Sequence, residues 1–217
     1  MILIPIKNLG HAKQRLAEVL TQEARTQLAR AMLLDILETL SQWQGRPEVS
    51  LVSGDPSATE MARHFNFDVI TDLRNTGESD AIAMATAVCE TRGAKSTLVI
   101  PGDIPLLQAS ELAAILESAP AQGSVLVPAA DGRGTNAIFR SPCGLFPLRF
   151  GNDSFFPHHA KAIATQKPCI VMNFPGVAMD IDNPPDLQDL ANAPGERRSQ
   201  LLVRKWNFAE LPRTANA

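Results

Sequence analysis

Residues 96–107 read "STLVIPGDIPLL", and this stretch decides the fold. An apolar run from Leu98 to Ile100 stops at Pro101 and Gly102. One carboxylate, Asp103, follows before apolar residues resume. A near-continuous apolar run reads as a strand covered on both faces, the habit of a parallel sheet flanked by helices. Ligands of open α/β sheets bind beyond the carboxyl ends of the strands. Asp103 therefore stands at a ligand-binding edge, although by position alone it reads equally as a helix cap or a turn residue.

The same alternation extends outward. "MILIPI" (1–6), "EVSLVSG" (48–54), "FDVITD" (67–72) and "SVLVPAA" (124–130) read as further strands. In 21–43, Ala24, Leu28, Met32, Ile36, Leu40 and Trp43 fall at helical spacing. Asp55 and Pro56 open a second helix, "ESDAIAMATAVCETRG" (78–93) is a third closed by Gly93, and 110–119 is a fourth. The second half is less regular. "GTNAIFRS" (134–141) and "CIVMNF" (169–174) read as strands, and 154–166 as a helix with Pro157 in its first turn. Asn183 and Pro184 begin the next helix. The expected class is α/β, a mostly parallel sheet flanked by helices. Residues 1–193 read as one domain and 194–217 as a C-terminal tail without clear periodicity. The tail's Leu201, Leu202, Val203 and Trp206 suggest packing on something, a partner subunit being one option.

Composition narrows the function. The chain has 217 residues, 45% hydrophobic and 20% charged, with a formal net charge of −3, which gives no electrostatic case for nucleic-acid binding. Cys89, Cys143 and Cys169 lie far apart with no zinc spacing, as expected of reduced buried thiols. The apolar run before Lys7 is too short for a signal peptide or membrane span, so the reading is a cytoplasmic protein with no membrane partner.

Charged residues gather where strands end. "AMDIDNPPDL" (178–187) carries Asp180 and Asp182 two apart, which puts both on one side of an extended segment. With Asp103 they form an oxygen donor set suited to Mg²⁺, although the two alone are a weak signal, since Asp182 also reads as part of the turn before the helix cap. Lys7 follows the first strand, and Lys13 and Arg15 come next in the loop "IPIKNLGHAKQRLA" (4–17). They read either as a solvated basic loop or as a phosphate clamp. Thr135 and Asn136 follow two glycines, a frequent turn pattern. Gly151 and Ser154 precede a helix, where backbone amides bind anions, although Ser154 also reads as a plain cap. His158 and His159 are adjacent and do not share a helical face, which argues against a metal pair.

Taken together and in order, "IPIKNLGHAKQRLA", "RAMLLDIL", "GDIPLL", "DGRGTNAIF", "FGNDSFFPHH" and "MDIDNPPDL" resemble the guanylyltransferases of deazaflavin coenzyme (F-420) biosynthesis. That family acts on 2-phospho-L-lactate, phosphoenolpyruvate or 3-phospho-D-glycerate. The resemblance implies a nucleotidyltransferase fold, glycosyltransferase-A-like and Rossmann-like. It implies transfer of GMP from GTP to the phosphate of a phosphorylated three-carbon acid, with pyrophosphate released. By the same resemblance Asp103, Asp180 and Asp182 hold Mg²⁺, Lys13 and Arg15 face the triphosphate, and Lys7, Thr135, Gly151 and Ser154 contact the acceptor. Lys7 and Asp103 are the catalytic pair. His158 matches a recurrent family position with no role attached, and a homodimer is expected. One departure stands out: Ser79 and Asp80 occupy the helix opening where a Leu-Asn pair is expected, leaving Asp80 as a guanine acceptor or a helix-capping residue. Two rival readings are a sugar-nucleotide glycosyltransferase and a non-catalytic nucleotide-binding protein. The first would usually carry a DxD where this chain has Asp103-Ile104-Pro105.

Overall fold

Alternate side chains of a strand face opposite ways, and the first strand, β1 (Ile2–Ile6), is apolar toward both sides. Ile2 and Ile4 enter one apolar layer, and Leu3 enters another on the opposite face. The computed structural model describes residues 1–73, 77–151 and 153–208. The other strands are β2 (Val49–Ser53), β3 (Asp68–Ile70), β4 (Thr97–Val99), β5 (Gly123–Pro128), β6 (Thr135–Ser141) and β7 (Cys169–Val171). They form one sheet in the order β3-β2-β1-β4-β6-β5-β7. All neighbours are parallel except β6, which runs antiparallel to β4 and to β5.

Helices cover both faces. On one lie α1 (Gln22–Gln42), α2 (Pro56–His64) and α4 (Ala109–Ser118), and on the other α3 (Glu78–Thr91) and α5 (Phe155–Ala164). Local chemistry sets their ends. The Asp55 carboxylate accepts the Ala58 N–H and Pro56 opens α2, as the sequence indicates. Gly93 follows α3 at φ +82°, a conformation glycine adopts without strain. The turn α6 (Pro175–Ala178), too short to leave a periodic signal, is not foreseen in the sequence.

The reversal of β6 positions the site. Because it runs against β4 and β5, its first residues lie at the edge where those strands end. Thr135 and Asn136 thus reach the same edge as Asp103.

The tail differs from the sequence expectation. Residues 198–205 form a helix, α8 (Arg198–Lys205), that packs on this chain's own α1 and on α7 (Pro184–Asn192). The buried Asp35 carboxylate of α1 accepts the backbone N–H groups of Arg198 (3.0 Å) and Ser199 (2.9 Å) and the Ser199 hydroxyl (2.6 Å). An anion at a helix start satisfies amides that have no intrahelical partner. Val203 and Phe208 then pack with Leu28, Met32 and Ile181. The remainder of the tail, 209–217, lies outside the described residues. Replacing Asp35 by Ala strands those donors, so Asp35→Ala should cost about 2–4 kcal/mol in urea unfolding. It should also speed amide exchange over 198–205 more than in β1 and β2.

Candidate functional site

Two cavities open along the carboxyl edge of the sheet and meet at Asp103. The first, about 480 Å³, is walled by the β1 loop, including Lys7, Asn8 and Lys13, with Leu9, Ala29 and Met32 as its apolar side. The second, about 510 Å³, is walled by Arg133, Thr135, Gly151, Ser154, Asp180 and Asp182. Glu78, Pro101 and Asp103 line both.

Each carboxylate is placed by its surroundings. Gly102 lies against β1, and a Cβ there would stand 2.0 Å from Ile6 Cδ1, so a side chain at this position would force Ile6 to move. The Ile181 N–H donates to the Asp103 carbonyl at 3.2 Å, joining two segments far apart in sequence. Ile181 is itself fully buried in the α1–α7–α8 layer. The extended backbone then turns Asp180 and Asp182, on either side of it, toward the cavity. The Asn136 amide donates to Asp180 Oδ1 (3.0 Å) and to the Val177 and Ala178 carbonyls (3.0 Å each). The Asp186 carboxylate accepts the Asp182 N–H (2.8 Å).

The electrostatics follow. Burial raises the Asp180 carboxyl to about 6, and the neighbouring charges of Asp103 and Asp182 push the same way, against the Asn136 hydrogen bond. Burial likewise pushes Glu78 up to about 7, with Asp103 contributing. Asp182 moves down despite burial, because Lys13 and Arg15 stand beside it. Lys13 Nζ lies 2.5 Å from Asp103 Oδ2 and 2.9 Å from Asp182 Oδ1, and Arg15 lies 3.2 Å from Asp182 Oδ2. Burial alone would lower the Lys13 ammonium, but the two carboxylates outweigh it and raise it.

The expected site residues are placed as follows. Lys13, expected to face a triphosphate, lines the first cavity, and its ammonium bridges Asp103 and Asp182. Lys7 is expected beside Thr135, Gly151 and Ser154. It lines the first cavity instead, because β1 lies on the opposite side of β4 from β6. Asp80 is exposed and outside both linings, and Glu78, the first residue of α3, lines both. Ser79 explains part of the departure at this helix opening. Its hydroxyl accepts the Phe150 N–H at 3.0 Å and holds the loop before Gly151. Gly151 itself has φ +131°, which a side chain would strain. Ser154 makes no side-chain cap, and its hydroxyl turns to Thr135 Oγ1 at 3.3 Å.

Hard carboxylate oxygens around one cavity match the donor chemistry of Mg²⁺. Among the described residues, however, no group of three or more His, Cys, Asp or Glu stands close enough to form a metal cage alone. Such an ion usually completes its shell with water and phosphate oxygens.

The chain matches the family described as guanylyl transferase CofC-like over residues 1–216. The chain belongs to this family. A phosphoenolpyruvate guanylyltransferase of Roseiflexus castenholzii is 35% identical over 94% of this CofC-like chain and 93% of its own length. One of Conexibacter woesei is 30% identical over 98% and 96%. Solved structures share the fold. A protein assigned as a nucleotide-diphospho-sugar transferase from Desulfovibrio desulfuricans superposes with TM-score 0.75 at 20% identity, covering 95% and 94%. A cytidylyltransferase from Leptospira borgpetersenii gives 0.60 at 12%, covering 100% and 98%. The CofC-like chain is thus a nucleotidyltransferase, with the expected fold. No helix among the described residues is long and apolar enough to cross a membrane.

Sequence reasoning left His158 without a role and overlooked Glu78 and the cross-link by Asn136. His158 is fully buried, and burial, aided by Lys161 and Arg140, lowers its pKa to about 4. Between pH 6.5 and 4 the unfolded chain binds a proton that the folded chain refuses, so stability rises with pH across that window. From pH 7 to pH 5 the CofC-like protein should lose about 2 kcal/mol through this residue, measured by urea unfolding. A His158→Gln variant should lose correspondingly less.

Proposed function

We propose that this chain transfers the GMP unit of GTP to the phosphate of a phosphorylated three-carbon acid, phosphoenolpyruvate before 3-phospho-D-glycerate or 2-phospho-L-lactate. The observation that carries the reading is the meeting of two cavities at Asp103. One mixes apolar walls with Lys7 and Lys13, as a base and its phosphates require. The other presents Arg133, Thr135 and Ser154 to an anion. The names of the curated relatives favour phosphoenolpyruvate.

In this reading a phosphate oxygen of the acceptor forms a bond to the α-phosphorus of GTP. The bond from that phosphorus to the bridging oxygen breaks, and its electron pair leaves with pyrophosphate. The nucleophile needs no general base, because the second phosphate pKa is about 6 and the oxygen is ionised at neutral pH. The obstacle is repulsion between anions, so catalysis is positioning plus charge compensation. Lys7 and Lys13 supply positive charge on the nucleotide side, and on the acceptor side Arg133 would do so by exchanging its ion pair with Asp153 for the incoming phosphate. Lys13 also holds Asp103 and Asp182 together against their mutual repulsion. Asp103, Asp180 and Asp182 are the residues that would hold Mg²⁺, which when bound neutralises phosphate oxygens and stabilises the leaving group. The diphosphodiester product belongs to coenzyme F-420 biosynthesis in the same reading, as do a cytoplasmic setting and a homodimer.

Incubation with GTP, Mg²⁺ and each acceptor separately should release pyrophosphate only with an acceptor, and mass spectrometry should find the GMP adduct. Acceptor-independent GTP binding without product would favour a silent nucleotide-binding protein, and transfer of a sugar would favour a glycosyltransferase. Asp103→Ala should lower turnover at saturating GTP by roughly two orders of magnitude. Survival of turnover would remove Asp103 from the mechanism. Lys7→Ala should raise the KM for GTP more than that for the acceptor, as its cavity implies, and the opposite split would return Lys7 to the acceptor.

A further inference from the structure

His158 is engaged at both ring nitrogens. The Arg149 backbone N–H donates to Nε2 at 2.8 Å. A backbone N–H only donates, so Nε2 carries no proton and the neutral ring holds its proton on Nδ1. Nδ1 lies 3.0 Å from Thr135 Oγ1, which therefore accepts. The Ser154 hydroxyl donates to the same oxygen at 3.3 Å. A hydroxyl has two lone pairs and one proton. The imidazole N–H fills one of these lone pairs, so the Thr135 hydroxyl has its own proton to give, and an acceptor oxygen in the second cavity can take it. Thr135 and Ser154 line the second cavity, and both are at least nine-tenths buried.

We propose that His158 is a positioning residue, which by donating to Thr135 Oγ1 turns the Thr135 hydroxyl into a donor to the anion in the second cavity. The inference rests on the functional reading above for the identity of that anion. It adds a rule of selection. The subsite takes an oxygen that accepts only, such as an ionised phosphate oxygen, and disfavours a hydroxyl that must donate. The Phe150 ring stands edge-on to the imidazole, with centroids 5.1 Å apart, and shields the relay from solvent. Of the charged groups near the ring, Lys161 and Arg140 are cationic and disfavour a second ring proton. The neutral tautomer therefore persists throughout the range in which phosphate titrates.

Two variants separate relay from packing. The side-chain amide of Asn reaches the position of Nδ1 and can donate to Thr135. The longer Gln places its amide near Nε2 and cannot do so from there. With phosphoenolpyruvate, His158→Gln should raise the acceptor KM about tenfold, the loss of one charge-assisted hydrogen bond. The KM for GTP should stay unchanged, and His158→Asn should stay within about threefold of the parent protein. In a Thr135→Val background, His158→Gln should add nothing. Equal effects of Asn and Gln, additivity with Thr135→Val, or a parallel rise in the KM for GTP would overturn the proposal. Two readouts do not depend on turnover. Nitrogen-15 NMR of the full-length protein at pH 7 should find Nδ1 protonated and Nε2 bare, and the opposite tautomer overturns the relay. Calorimetric titration with inorganic phosphate should show weaker binding by His158→Gln and near-parent binding by His158→Asn. If the parent protein makes no adduct from any acceptor, the functional reading fails, and the tautomer and phosphate titration still decide on His158.

Discussion

Three carboxylates share one sheet edge only if their mutual repulsion is held in check, and most of the site depends on how this chain does so. Asp103 and Asp182 are bridged by the Lys13 ammonium, with Arg15 at the rim. Asp180 is held by the Asn136 amide instead. Beneath them the Ile181 N–H ties the second segment to the Asp103 carbonyl. The burial of Ile181 means that the backbone between the two flanking aspartates cannot lift away without exposing an apolar side chain. Charge, backbone and core therefore restrain the same few atoms. The Coulomb energy of a buried ion pair does not by itself guarantee stability, because desolvation opposes it. In this chain the ion pair sets which groups face one another.

The sheet was legible in the sequence where its signals are local. β1, β4 and β5 carry apolar runs, β2 sets Val49, Leu51 and Val52 among serines, and α1 repeats its apolar residues at helical spacing. Asp55 and Pro56 cap α2 as their chemistry requires. The pairing of Asp180 with Asp182 was legible for the same reason, since a two-residue period needs no knowledge of distant strands. What escaped depends on non-local order. Nothing near Thr135 tells that β6 runs backwards, and nothing near Lys7 tells which cavity β1 borders. The α8 helix escaped because the amides of Arg198 and Ser199 are satisfied by Asp35, more than 160 residues away in sequence, and locally only Gln200 caps its start, by accepting the Arg197 N–H. His158 escaped because its two partners, Arg149 and Thr135, come from separate segments.

The reversed strand has one more consequence. In a wholly parallel sheet the functional edge is built from loops, whose ordering upon ligand binding subtracts from affinity. Thr135 and Asn136 belong instead to the start of a strand that is buried throughout, where Thr135 pairs with β5 and the Asn136 amide is held by the Val177 and Ala178 carbonyls and Asp180. The floor of the second cavity is thus paid for during folding rather than during binding. A ligand settling there meets donors whose freedom has already been removed. At the rim Arg133 pairs with Asp153 in solvent. Entropically, the chain presents the floor of its second cavity as a preformed socket.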